Sequence, residues 1–197
     1  MAFLEFLIKP KNLILISILL MMIGILMPKG KMFDCKDIFK MHFKCFKKKT
    51  TNRYSVYMIF MFFGIPVIIT TALIKIRVID QDVVNIITVI ISILTSMLFT
   101  LLTLILDMKK NVDKNDNLPS NEAKLTGKLL SEVYFSIMFE LIVSIIILIF
   151  CFVELFSKEY SIISSAVIYY LSLVFLFNLF IILNRTFAVI KEDVMKH

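Results

Sequence analysis

The chain has 197 residues, of which 59% are hydrophobic, and it carries a formal net charge of +7. Soluble domains contain about 45–50% apolar residues, so this composition excludes an ordinary water-soluble domain and indicates a membrane protein. The three cysteines are scattered and odd in number, which excludes a disulfide framework as the basis of the fold.

Five apolar segments follow one another along the chain. The first, residues 13–27, is shorter than the roughly 20 residues that a membrane crossing requires. It either spans with help from its flanks or lies partly in the interface. The other four are long enough to cross, and they cover residues 54–74, 83–106, 133–153 and 162–183. We therefore predict an all-α fold, a polytopic transmembrane helical bundle of one domain, with the four long segments forming two helical hairpins.

Residues 33–48 predict an amphipathic helix between the first two segments. Its basic face carries Lys36, Lys40, Lys44, Lys47 and Lys48, and its apolar face carries Cys35, Ile38, Phe39, His42, Phe43, Cys45 and Phe46. Such a helix typically lies in the membrane plane, where anionic lipid headgroups attract its lysines. It is a topology anchor, a sensor of lipid packing or surface charge, or a docking helix for a partner. No metal site is predicted, because Cys35, His42 and Cys45 lack the fourth ligand of a structural zinc site.

Gly64 and Pro66 interrupt the first long segment. Proline removes a backbone donor and clashes with the preceding turn, so we predict a kink in this helix. The kink is either a passive bend or a gating hinge.

The second long segment carries small hydroxylated side chains every three or four residues. Its most regular members are Thr88, Ser92, Ser96 and Thr103. Such residues allow helices to approach closely and to hydrogen-bond across the contact, within one subunit or between subunits. A water-lined path is the alternative interpretation of the same stripe.

Residues 107–128 predict a loop, and Ser120 resembles the N-cap of the helix that follows it. This loop and the stretch 28–53 are rich in lysine, whereas the connections 75–82 and 154–161 are short and nearly neutral or acidic. The positive-inside rule therefore places both basic stretches and the C-terminus in the cytoplasm. The abundance of Lys, Asn, Ile and Phe indicates an AT-rich, bacterial gene.

Glu140 lies well inside the third long segment, where a carboxyl group facing lipid would cost several kcal/mol. It should therefore face protein. Counted from the cytoplasmic ends of their helices, Asn178 and Thr100 come to a similar depth. We predict that Glu140, Asn178 and Thr100 form one buried polar cluster, which either specifies the bundle or oligomer or has a proton- or ion-linked role.

No nucleophile–base pair, phosphate-binding loop or metal-ligand run is visible in the sequence. We therefore expect neither an enzyme nor a bound cofactor, and no direct contact with nucleic acid. The expected partners are membrane lipids, further copies of the chain and a cytoplasmic protein.

The layout resembles that of the membrane subunits of the Kiwa anti-phage defence system. The resemblance rests on the leading segment Phe6-Leu7-Ile8-Lys9-Pro10, the basic aromatic stretch 33–46, the two hairpins and the end Asn184-Arg185-Thr186-Phe187. It implies a homo-oligomeric inner-membrane sensor and scaffold that responds to envelope perturbation and recruits a cytoplasmic DNA-binding effector. Superinfection-exclusion membrane proteins have a similar layout and are a competing match. A pore-forming or ion-conducting effector is the alternative function.

Overall fold

The computed structural model describes residues 13, 16, 17, 20, 23, 35–44, 55–114, 120–157 and 160–194, and every regular element among them is helical. These elements are α1 (Lys36–Lys44), α2 (Val56–Ile59), a π-helical turn (Phe60–Gly64), α3 (Ile65–Ile76), α4 (Gln81–Lys114), α5 (Ser120–Glu154) and α6 (Ile162–Val194). The five described residues of the segment 13–27 are also helical.

Four helical stretches are long and apolar enough to cross a membrane. They are Val56–Ile76, which joins α2, the π-helical turn and α3, and the stretches Gln81–Val112, Thr126–Glu154 and Ile162–Lys191. By length and composition, the chain therefore has the fold of a multi-pass helical membrane protein.

The predicted loop 107–128 is mostly helical, which corrects the sequence-based boundary. Helix α4 continues to Lys114, beyond the predicted end of its apolar segment, whereas α5 begins at Ser120, where the sequence indicated an N-cap. The polar composition of these turns indicated a loop, but helical turns that project into water have the same composition. At 1.5 Å per residue, the 34 residues of α4 extend about 51 Å, well beyond a hydrocarbon core of about 30 Å.

The first span contains the expected disturbance at Gly64 and Pro66, in the form of a π-helical turn. The N–H group of Ile65 donates to the carbonyl of Phe60, one residue further back than in an α-helix. The wider turn ends where α3 begins, and Pro66 occupies the first turn of α3, where its missing N–H group costs least.

Helix α5 is the centre of the bundle. Its most buried seam recurs in alternating steps of three and four: Leu130, Val133, Ile137, Glu140, Ser144, Ile147, Cys151 and Glu154. Its neighbours present residues seven apart, namely Val84, Ile91, Leu98 and Ile105 on α4 and Ile168, Phe175, Ile182 and Val189 on α6. These repeats are those of left-handed coiled-coil packing, so α4 and α6 pack along α5 through heptad seams.

Helix α3 packs mainly against α6, although α4 follows it directly in the chain. The two helices of the first predicted hairpin are therefore joined by a short connection, but each makes its main contact elsewhere. The connection is tied to the start of α6, because the Ile79 N–H donates to Ser165 Oγ at 3.2 Å and the Tyr169 hydroxyl donates to the Arg77 carbonyl. We call this end of the bundle the loop end, and the opposite end, which carries Lys109, Lys110, Lys128 and Arg185, the basic end.

Candidate functional site

The structure brings Glu140 of α5 and Asn178 of α6 together in the middle of the bundle. Both side chains are fully buried. The Asn178 Nδ2 amide donates to Glu140 Oε2 at 2.5 Å, and we call these two residues the acid–amide pair. A polar residue in a heptad seam specifies the register of the helices that share it, because any other register would leave it without its partner.

Thr100 does not join this pair, which corrects the predicted cluster. Its side chain is exposed and its hydroxyl donates to the carbonyl of Ser96, one turn back on the same helix. At this depth α4 presents Leu98 to the core instead. The sequence therefore predicted the depth of Thr100 correctly, but not the side of α4 on which its side chain lies.

Buried oxygens around the acid–amide pair have acceptor capacity that no described residue satisfies. Glu140 Oε1, Asn178 Oδ1 and the Ser136 hydroxyl, one helical turn away from Glu140, each have no hydrogen-bond partner among the described residues. Leaving a buried polar atom without a partner costs roughly 1–3 kcal/mol, so we expect a proton, a water molecule or another ligand to satisfy these atoms.

A second polar pair joins the same two helices nearer the basic end. Arg185 Nη1 donates to Glu132 Oε2 at 2.6 Å, in a setting where both side chains are mostly buried. The pair lies eight residues from Glu140 on α5 and seven residues from Asn178 on α6, so both pairs belong to the same antiparallel register.

Helix α1 packs its aromatic face on protein and not on lipid. The His42 ring stacks on Phe139 of α5, with centroids 4.0 Å apart and planes 2° from parallel, and Phe39 meets Phe139 edge to face. Phe43 stacks on Phe63 of the first span. The sequence pattern identified the apolar face, but amphipathicity alone does not distinguish a lipid surface from a protein surface.

His42 is completely buried by these contacts. Its burial, together with the positive charge of Arg185, lowers the pKa of His42 from 6.5 to about 3, so the docked imidazole is neutral. No feature of the sequence indicated this stacking, because Phe139 and His42 lie almost a hundred residues apart on different helices.

The basic face of α1 points away from the bundle. Lys36, Lys40 and Lys44 are exposed, in agreement with the face assigned to them from the sequence. Lys47 and Lys48, together with Cys45 and Phe46, lie outside the described residues. Cys35 is half-buried at the start of the helix.

The hydroxylated stripe of α4 faces mostly outward. Thr88 is half-buried and donates to the carbonyl of Val84, whereas Ser92, Ser96 and Thr103 are exposed. Together with Thr100 these exposed residues form what we call the outward face of α4. This face lies on the side of the helix away from the seam that packs on α5, so its polar groups do not contribute to that seam.

No family model, curated protein or solved structure matches the chain.

Proposed function

We propose that the chain is an oligomeric membrane scaffold and sensor, whose copies associate through the outward face of α4 and whose basic end binds a cytoplasmic protein. The observation that carries this proposal is the position of Ser92, Ser96, Thr100 and Thr103. Their hydroxyl groups lie within a membrane-spanning stretch, yet they face away from the chain's own core.

Small hydroxylated residues at membrane depth favour close contact between helices, because the backbones can approach and the side chains can bond across the interface. A single threonine can donate its hydroxyl to a backbone carbonyl of its own helix. Thr103 does so, because its hydroxyl donates to the Thr100 carbonyl at 2.7 Å. A stripe of four along one exposed side is more than local bonding needs, and a second copy of α4 is the simplest partner for it.

The proposed orientation places the basic end in the cytoplasm of a bacterial cell, with the C-terminus on the same side and the four spans arranged as two hairpins across the inner membrane. The exposed side chains of Lys110 and Lys128 and the half-buried Lys109 at this end support this orientation through the positive-inside rule. At this end α4 continues as a helix two residues beyond its membrane-crossing stretch, and α5 begins six residues before its own.

These helical extensions favour the docking of a partner protein over a minimal membrane anchor, which would not need them. In keeping with the family resemblance, the proposed partner is a DNA-binding effector of an anti-phage defence system, and the proposed stimulus is perturbation of the envelope. The test is co-purification of the protein encoded beside this gene. We expect Lys109→Glu with Lys110→Glu to abolish the co-purification, while the exposed control substitutions Lys36→Glu and Lys40→Glu leave it unchanged.

Disulfide cross-linking in membranes tests the association of copies. In a background with Cys35, Cys45 and Cys151 replaced by alanine, Ser96→Cys should give a cross-linked dimer on mild oxidation. The matched control is Phe180→Cys, since Phe180 is an exposed apolar residue on α6. Equal cross-linking at both positions would indicate random collision and would contradict the proposed interface.

The same outward face supports a second candidate function, an ion-conducting pore lined by α4 from several copies. The two candidates differ in whether Ser96 meets water. A pore predicts that a water-soluble thiol reagent modifies Ser96→Cys in intact membranes and that the purified protein leaks ions from liposomes. The scaffold predicts that Ser96→Cys forms cross-linked dimers, that the water-soluble reagent does not modify it and that the liposomes do not leak ions.

A further inference from the structure

The acid–amide pair presents two acceptors that lack a donor. Asn178 Nδ2 already donates to Glu140 Oε2, which leaves Glu140 Oε1 and Asn178 Oδ1 without a partner among the described residues. Turning the Asn178 amide over would place its oxygen against the carboxyl group and remove the one bond that exists. The orientation of the amide is therefore set by the carboxyl group, and two oxygen acceptors, Glu140 Oε1 and Asn178 Oδ1, remain without a donor among the described residues.

An ionised Glu140 would also place a negative charge in the centre of the bundle, and a nearby positive charge would have to compensate it. On α6 the nearest cation, Arg185, is bound to Glu132 of α5. On α1 the inward-facing titratable group is His42, which is neutral when docked, and the lysines face outward. The inward-facing residues of α4 near this depth are Leu94, Leu98 and Leu101, and those of the first span are Phe62 and Phe63, none of which titrates. No described residue forms an ion pair with Glu140.

We propose that the acid–amide pair is a proton-binding site, in which a single proton bonded to Glu140 Oε1 is donated to Asn178 Oδ1. The carboxylic acid and the amide then exchange two hydrogen bonds in a closed ring, and both oxygens that lacked a donor are satisfied. The same proton removes the negative charge from the helix seam. This inference goes beyond the proposed scaffold function and does not depend on how many copies associate.

A proton fits this site better than a metal cation. Hard cations such as Ca²⁺ and Mg²⁺ take about six or more oxygen ligands. The oxygens without partners near the pair are Glu140 Oε1, Asn178 Oδ1 and the Ser136 hydroxyl, whereas a proton needs only a donor oxygen and one acceptor.

Infrared spectroscopy of the full-length protein in lipid vesicles tests the proposal directly. A protonated carboxylic acid has a C=O stretching band that a carboxylate lacks, and this band shifts in heavy water. We expect the wild type at neutral pH to show such a band, Glu140→Gln to lose it, and Glu132→Gln, the matched control on the same helix, to keep it. Absence of the band from the wild type, or its persistence in Glu140→Gln, would overturn the proposal.

Two additional measurements distinguish a bound proton from a bound metal cation. Asn178→Leu removes the acceptor, so the carboxylic acid band should move to the frequency of a weakly bonded acid without vanishing. Sodium or potassium should not remove the wild-type band when titrated into the vesicles at constant pH. Loss of the band with either salt would assign the site to a metal cation in place of the proton.

Assembly provides a readout that does not use spectroscopy. Glutamine can donate from Nε2 and accept at Oε1, so it reproduces both hydrogen bonds of the protonated acid. Glu140→Gln should therefore retain the wild-type melting temperature, whereas Glu140→Leu should lower it by leaving Asn178 unsatisfied. A melting temperature for Glu140→Gln as low as that of Glu140→Leu would contradict the reciprocal pair.

Discussion

Glu140 and Thr100 show how far a residue in a membrane helix can be placed from sequence. The rise per residue fixes depth, and depth correctly suggested Asn178 as a neighbour at the level of Glu140. The direction of a side chain around its helix axis depends on which neighbour the helix packs against, and no pattern within α4 carries that information. Thr100 lies at a suitable depth on the wrong side of its helix.

The Glu132–Arg185 pair gives a prediction at the residue scale. Because both side chains are mostly buried, either Glu132→Ala or Arg185→Ala should lower the free energy of unfolding by about 1–2 kcal/mol. The two losses should not add in the double variant, since the pair interaction can be lost only once. Denaturation in detergent measures all three variants, and strict additivity would show that the contact contributes nothing.

His42 gives a prediction of pH dependence. Its folded pKa of about 3 lies below its ordinary value of 6.5, so the undocked helix binds more protons and docking is favoured at higher pH. The contribution is complete above about pH 6.5 and is lost as the pH falls towards 3, by at most about 1.4 kcal/mol per pH unit.

Hydrogen exchange of the α1 backbone at a series of pH values, corrected for the intrinsic exchange rate, measures this loss of docking. His42→Phe preserves an aromatic ring against Phe139 and removes the titratable group, so α1 in that variant should stay protected as the pH falls. An unchanged pH dependence in His42→Phe would assign the effect to a different group.

At the scale of the element, the ends of the helices were the least predictable feature. Lysine-rich composition indicated a loop for residues 107–128, but the same lysines suit the helical turns by which α4 extends to Lys114. The start of α5 was better predicted, because the N-cap signal at Ser120 marked it. The π-helical turn was foreseen only as a kink at Gly64 and Pro66. Proline reports where the hydrogen-bond ladder is disturbed, but not whether the helix bends or widens in response.

The π-helical turn brings the Phe60 ring against Gly64. A Cβ atom at position 64 would lie 2.8 Å from Cδ2 of this ring. Because the Phe60 side chain is exposed and can turn away, Gly64→Ala should cost about 1 kcal/mol or less. Thermal denaturation should show that adding Phe60→Ala removes the cost, and an unchanged cost in the double variant would place the strain in the backbone.

At the scale of the whole molecule, the order of packing differs from the order of the chain. Helix α3 lies on α6, and α4 lies on the far side of α5. The hydrophobic pattern could not reveal this order, because all four spans are apolar enough to be buried by lipid or by one another. The same ambiguity left the stripe on α4 open to interpretation as an internal or an external contact.

The proposed orientation gives a prediction for the whole molecule. Lys110 is exposed at the basic end and Ser161 is exposed at the loop end. In the cysteine-free background, a membrane-impermeant thiol reagent added to intact cells with a permeable outer membrane should modify Ser161→Cys and spare Lys110→Cys. The reverse labelling pattern would show that the protein has the opposite orientation in the membrane. The basic end would then lie outside the cytoplasm and could not bind a cytoplasmic protein.

The two polar pairs between α5 and α6 restrict how these helices can move. A piston-like displacement of one along the other would break both pairs at once, and the side chains of the two seams would interlock again only after a full heptad, about 10 Å away. Tilting or rolling of the two helices as one unit keeps both pairs intact. The motion of these two helices that the two pairs allow is therefore pivoting as a unit, without sliding of one along the other.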